Sequence, residues 1–72
     1  MNGFQMHERA KIISESIKHL TPTHMIVEYV VDVDGCTIEE YDIYDLSLGA
    51  IIESWQTFEE AMQSLNSIIN SK

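Results

Sequence analysis

Between Met25 and Val33 every odd position is apolar: Met25, Val27, Tyr29, Val31 and Val33. The even positions mix Ile26 and Val30 with the charged Glu28 and Asp32. Strict alternation in a run rich in β-branched residues predicts a strand with one buried face, here the odd one. Asp34-Gly35 follows, and a second strand-like run begins at Cys36. Asp-Gly between two such runs is a strong hairpin signal, because a type I′ turn needs positive φ at both central residues. The centre of this chain is therefore expected to be an antiparallel hairpin, and the rest must fold around it.

A two-residue turn pairs Val33 with Cys36 and Val31 with Ile38. Continued without interruption, it sets Tyr29 opposite Glu40 and Val27 opposite Asp42, which places two carboxylates on the expected core face. One extra residue at Glu39-Glu40 removes the conflict, so a β-bulge is expected there. Tyr41 and Ile43 then join Tyr29 and Val27 inside. Glu28, Asp32, Glu40 and Asp42 point outward around Val30 and Tyr44.

Helices are expected on either side of the hairpin. Met6, Ala10, Ile13, Ile17 and Leu20 are spaced four, three, four and three apart, which predicts a helix over 5–20. Thr21-Pro22-Thr23 would end it, since proline disfavours helical geometry in the residue before it. Ala50 to Gln56 reads as a third strand whose facing is ambiguous, with Ile51 and Trp55 on one side and Ile52 on the other. Thr57-Phe58-Glu59-Glu60 is a capping box, and it opens a second helix whose buried stripe is Phe58, Ala61, Met62, Leu65, Ile68 and Ile69. The expected fold is α+β: a helix, a three-stranded antiparallel meander and a helix, with both helices on one sheet face. Residues 1–4 are expected to fray, and 5–72 to form a single domain.

A chain of 72 residues is near the lower limit for a self-sufficient core. One cysteine allows no internal disulfide, so a partner subunit could supply what the core lacks, and a homodimer is one possibility. No apolar run approaches the ~20 residues of a membrane-spanning helix. The N-terminus lacks the layout of a signal peptide. With a lone thiol, this points to a cytoplasmic protein.

Net charge is −8, and it is unevenly placed. Residues 1–24 hold Arg9, Lys11 and Lys18 against Glu8 and Glu15, whereas residues 25–71 hold ten Asp and Glu with no Lys or Arg. Such a surface repels nucleic acid and attracts basic partners.

The candidate chemistry is thin. Asp32-Val33-Asp34-Gly35 has too few acids before its glycine for a calcium loop. His7, His19, His24 and Cys36 lack zinc-ligand spacing. No nucleophile, base and orienter converge, so neither an enzyme nor a cofactor or metal site is expected. The expected helix–three-strand–helix order is similar to that of double-stranded-RNA-binding domains. That family grips phosphates with lysines at the start of its second helix, where this chain has Thr57-Phe58-Glu59-Glu60, so the resemblance implies no direct nucleic-acid binding.

What remains is the acidic sheet face. Glu28, Asp32, Glu39, Glu40 and Asp42, with Val30 and Tyr44, are the expected partner-binding residues. In size, charge and compactness the chain is similar to small acidic inhibitors from phages and mobile elements, including anti-CRISPR proteins and DNA mimics. That resemblance implies a non-enzymatic inhibitor whose carboxylates dock on a basic, nucleic-acid-binding protein. The alternative is a structural or adaptor module acting through homodimerisation or subunit assembly.

Overall fold

The structure is a computed structural model, and it describes residues 10–71. The chain runs β1 (Ala10–Leu20), β2 (His24–Val33), β3 (Cys36–Asp45), β4 (Ala50–Trp55) and α1 (Phe58–Asn70). The strands form one antiparallel sheet in the order β1-β2-β3-β4. The helix lies against one face of it.

This overturns the helix–meander–helix order. The segment expected as a first helix is an eleven-residue strand over its described part, and residues 1–9, with the expected frayed end, lie outside the described residues. The helical spacing has a specific origin. Register shifts against β2 fall between Ile12 and Ser14 and between Ile17 and His19, which leaves Ile13 and Lys18 as extra, bulged residues. Each bulge resets the alternation of faces. Ile12, Glu15, Ile17 and Leu20 therefore share one face at steps of three, two and three, and this imitates the periodicity of a helix. The similarity of order to double-stranded-RNA-binding domains falls with that helix.

The hairpin is as expected at its tip. Asp34 and Gly35 have φ of 54° and 84°, and Val33 pairs with Cys36. The Gly35 N–H donates to Asp32 Oδ1 at 2.9 Å. The expected bulge at Glu39-Glu40 is not formed. Pairing runs unbroken from Val33–Cys36 to His24–Asp45, with Tyr29 opposite Glu40 and Val27 opposite Asp42. A bulge does occur in β4, where Ile43 pairs with Glu53 and Tyr44 with Ile51. Ile52 is the extra residue, and this is why the facing of that strand could not be read from alternation.

The unbroken register decides the core. The helix covers the even face of β2, not the odd one. Ile26, Ile43, Ala61 and Leu65 are fully buried, with Tyr41, Trp55, Met62 and Ile68 packed around them. Tyr41 and Ile43 are thus inside as expected, but beside Ile26 rather than Val27 and Tyr29. On the same side, Trp55 Nε1 donates to Glu53 Oε1 at 2.8 Å, and Ser64 Oγ donates to the same oxygen, which ties β4 to the helix. The Tyr41 and Phe58 rings meet edge to face with centroids 6.1 Å apart. Thr57 caps the helix as expected, and Glu60 turns back to the cap's hydroxyl: Glu60 N–H donates to Thr57 Oγ1 at 3.1 Å, and the Thr57 hydroxyl donates to Glu60 Oε1 at 3.1 Å.

The helix is shorter than the sheet is long, so among the described residues nothing covers the tip half of the β1–β2–β3 layer on either side. The extents are 40 × 25 × 16 Å. Replacing Leu65 by Ala should cost about 2–4 kcal/mol. A core this small supplies only ~3–5 kcal/mol, so urea titration should find that variant at the edge of unfolding. Thr57→Ala, which removes only the cap, should cost about 1 kcal/mol.

Candidate binding interface

Directly paired residues of neighbouring strands share a face, so the register maps both sides of the sheet. The helix side carries His19, Ile26, Ile43 and Glu53 in one row, then Ser16, Glu28, Tyr41 and Trp55, then Ser14, Val30 and Glu39. The other side carries Leu20, Met25, Tyr44 and Ile51, then Ile17, Val27, Asp42 and Ser54, then Glu15, Tyr29 and Glu40, then Ile12, Val31 and Ile38. Nothing among the described residues packs over this second side. Ile12, Ile17, Leu20, Ile38 and Ile51 on it are between 47% and 63% exposed. Contiguous exposure of large aliphatic side chains on this scale makes the face a candidate interaction surface.

Two shallow hollows, of about 440 and 560 Å³, lie on this open side. Both are lined by Tyr29, Asp42 and Ile51. The dominant wall material is apolar, and three carboxylates interrupt it: Glu15, Glu40 and Asp42. Lys11 and His19 face the helix side by register, and Lys18 Nζ reaches Glu28 there at 3.5 Å. No described Lys, Arg or His belongs to the open side.

The expected site residues are therefore divided between two faces. Glu28, Val30, Asp32 and Glu39 are on the helix side, and Glu40, Asp42 and Tyr44 are on the open side. Glu28 is already committed. It accepts from Tyr41 Oη at 2.6 Å and pairs with Lys18. The Tyr41 hydrogen bond, followed by Lys18, holds its carboxyl below the usual range, while the same bond pushes Tyr41 up to about 12. Asp32 is used by the turn. Glu39 is exposed beside Val30, past the helix. Glu28 and Asp42, expected as cross-strand neighbours, are on opposite sides of the sheet.

Glu40 and Asp42 are the unusual pair. They are two residues apart on β3 and point the same way. Asp42 is 3% exposed, and its Oδ1 has no hydrogen-bond partner among the described residues. Glu40 is half-buried beside it, and its pKa is raised to about 6, first by a hydrogen bond to Asp42, then by desolvation and by the Asp42 charge. The neighbouring carboxyl and the loss of solvent both disfavour the charged form of Glu40. The Tyr29 hydroxyl on the next strand is also raised, by burial and by Glu15, Asp42 and Glu40. Elsewhere Asp45 is held low, first by the Leu48 N–H, and closes the β3–β4 turn. His24, buried on the helix side, contacts Asp45 Oδ2 at 3.5 Å. Among the described residues no three His, Cys, Asp or Glu converge to hold a metal ion.

Val27 is buried as expected, but it lies on the open side with the half-buried Met25, Tyr29 and Val31 and the exposed Ile38 and Ile51, which the sequence reading did not place in a binding surface. Their signal was present as the unbroken apolar series of odd positions, but that series was assigned to the core. No protein-family model, curated protein or solved structure matches this chain. The open face is therefore interpreted from its own chemistry.

The Glu40 shift fixes the sign of a pH effect. Its folded pKa of about 6 lies above the ordinary 4.5, so the folded state holds the proton more tightly than the unfolded chain does. Stability from this group is present below pH 4.5 and is lost as pH rises through about 6. Glu28 and Asp45 act oppositely, since their lowered values contribute at neutral pH and are lost in acid. Thermal unfolding should therefore show greatest stability in weakly acidic buffer. Glu40→Gln should stabilise the protein at pH 7.5 by about 1 kcal/mol after allowance for solvent screening, with little effect at pH 4.5.

Proposed function

We propose that this is a non-enzymatic binding protein that docks its open sheet face onto a basic protein and blocks the surface it covers. The observation that carries the reading is the face itself: an apolar layer with three carboxylates, no described cation, and no described element over it. Each of the longer strands spans about 33 Å, and four strands span roughly 19 Å across. That footprint is comparable to one side of a standard protein–protein interface, ~800 Å² of accessible surface per partner. The apolar groups supply contact energy, and the carboxylates select a basic counterpart and speed encounter.

A protein surface that ordinarily holds nucleic-acid phosphates would meet this description. The class is then that of small acidic inhibitors, DNA mimics and anti-CRISPR-like proteins of phages or mobile elements, working in the cytoplasm. The charge supports this, because residues 25–71 carry ten carboxylates and no Lys or Arg. The division of the acids between two faces shapes the mechanism. Docking rests on an apolar face with acids set into it, rather than on a continuous row of carboxylates.

The rival is a homodimer joined through the same face, and the exposed isoleucines favour some such cover. A two-fold dimer, however, brings the same patch from both copies together. Here it would oppose two sets of Glu15, Glu40 and Asp42. Sedimentation at micromolar concentration should give a monomer at both low and high salt. Affinity capture from a host lysate should recover a basic nucleic-acid-handling protein that salt releases. Ile17→Asp and Ile51→Asp should abolish capture, and Glu28→Gln on the helix side should not. A salt-insensitive dimer dispersed by Ile17→Asp would replace this reading with the structural one.

A further inference from the structure

We propose that the Glu40–Asp42 carboxyl pair is the receptor for one arginine side chain of the docked protein, delivered between the apolar walls of the open face. This rests on the docking reading above and adds the site and the chemistry of its central contact. Asp42 is almost wholly buried and lines both hollows of the face. Its Oδ1 is unsatisfied among the described residues, and a buried acceptor left so costs about 1–3 kcal/mol. The chain retains that cost at the middle of the face that no described element covers. Val27 and Ser54 flank Asp42 across the sheet by register, and neither brings a positive charge.

A guanidinium fits this position better than other donors. It is planar, permanently charged, weakly hydrated and built to satisfy several carboxylate oxygens at once. Its aliphatic stem would lie along Tyr29 and Ile51, and its head would reach Glu40 first, because Glu40 is the more exposed of the two acids. In weakly acidic solution the cation competes with the proton that Glu40 holds. The groups facing the pair are Glu15 from β1, Tyr29 from β2 and Tyr44 from β3, with the neutral Ser54 from β4. Glu15 adds to the attraction for a cation, and the Tyr29 hydroxyl is held above its ordinary value, first by burial. Proton competition therefore sets the pH dependence of binding, which strengthens as pH rises through about 6.

The test uses n-butylguanidinium as a probe of the isolated full chain, with n-butylurea as its neutral counterpart, followed by backbone amide NMR. The guanidinium should produce saturable shifts at Tyr29, Glu40, Asp42 and Ile51, and the urea should not. Apparent affinity should be about tenfold weaker at pH 5 than at pH 7.5, the loss expected from one competing proton with a pKa near 6. Glu40→Gln, which is expected to fold at least as well as the parent, and the near-isosteric Asp42→Asn should each weaken the probe at least fivefold. Glu28→Gln should not. Equal shifts from guanidinium and urea, shifts gathered at Glu28 and Glu39, or binding unchanged in both pair variants would each overturn the assignment. Binding that emerges only in a chain lacking residues 1–9 would overturn it too, because the pair would then serve this chain's own segment. If the probe fails while capture still depends on Ile17 and Ile51, the docking reading stands and only the arginine receptor falls.

Discussion

The two-residue turn at Asp34-Gly35 sets everything that follows. Its positive φ values join β2 to β3 with no residue to spare, so the pairing of Val33 with Cys36 propagates strand-long. Because side chains alternate with a period of two, that register assigns every residue of both strands to a face. It places Ile26 beside Ile43 and makes their row the seat of the helix. It also places Glu40 and Asp42 among Val27, Tyr29 and Val31. A single inserted residue would have separated the acids from the aliphatic groups, and the chain does not insert one.

The consequence, among the described residues, is a sheet with two apolar sides and one helix. The capped helix, with Ala61 and Leu65 buried, covers only the side where Ile26 and Ile43 stand. Its main contacts are with β2, β3 and β4, and among the described residues no other element packs over β1 and the hairpin tip. An eleven-residue strand at the edge of a sheet invites pairing with other chains. The bulges at Ile13 and Lys18 interrupt its ladder and make that edge a poorer template. The open face has no such protection, which separates it from the edge as a candidate for recognition.

On the docking proposal, the carboxyl pair is what would give that face its specificity. Its burial next to Val27 and Tyr29 lowers the stability of the free protein at neutral pH, and nothing in the packing of the core requires it. Glu28 shows the contrast. It is satisfied by Tyr41 and Lys18 on the helix side and so contributes to the fold. Glu28 is thus satisfied on one side of the sheet, whereas Asp42 Oδ1 on the other has no hydrogen-bond partner among the described residues.

Much of the local structure was legible in the amino-acid sequence. Asp-Gly between alternating runs specified the hairpin, Thr57 to Glu60 specified the helix start, and the β-branched residues after Leu48 specified β4. These are short-range effects, decided by backbone conformations and hydrogen bonds within a few residues. The first segment was not legible, because two bulges gave a strand the spacing of a helix. Nor was the choice of covered face, since β2 carries apolar groups on both sides and alternation alone cannot say which side the helix takes. Tertiary structure decided that choice, and with it the division of Glu28, Asp32 and Glu39 from Glu40 and Asp42. The reason is that one short helix can bury only one side of a sheet, and the side that completes a core with Ala61 and Leu65 is the one bearing Ile26 and Ile43.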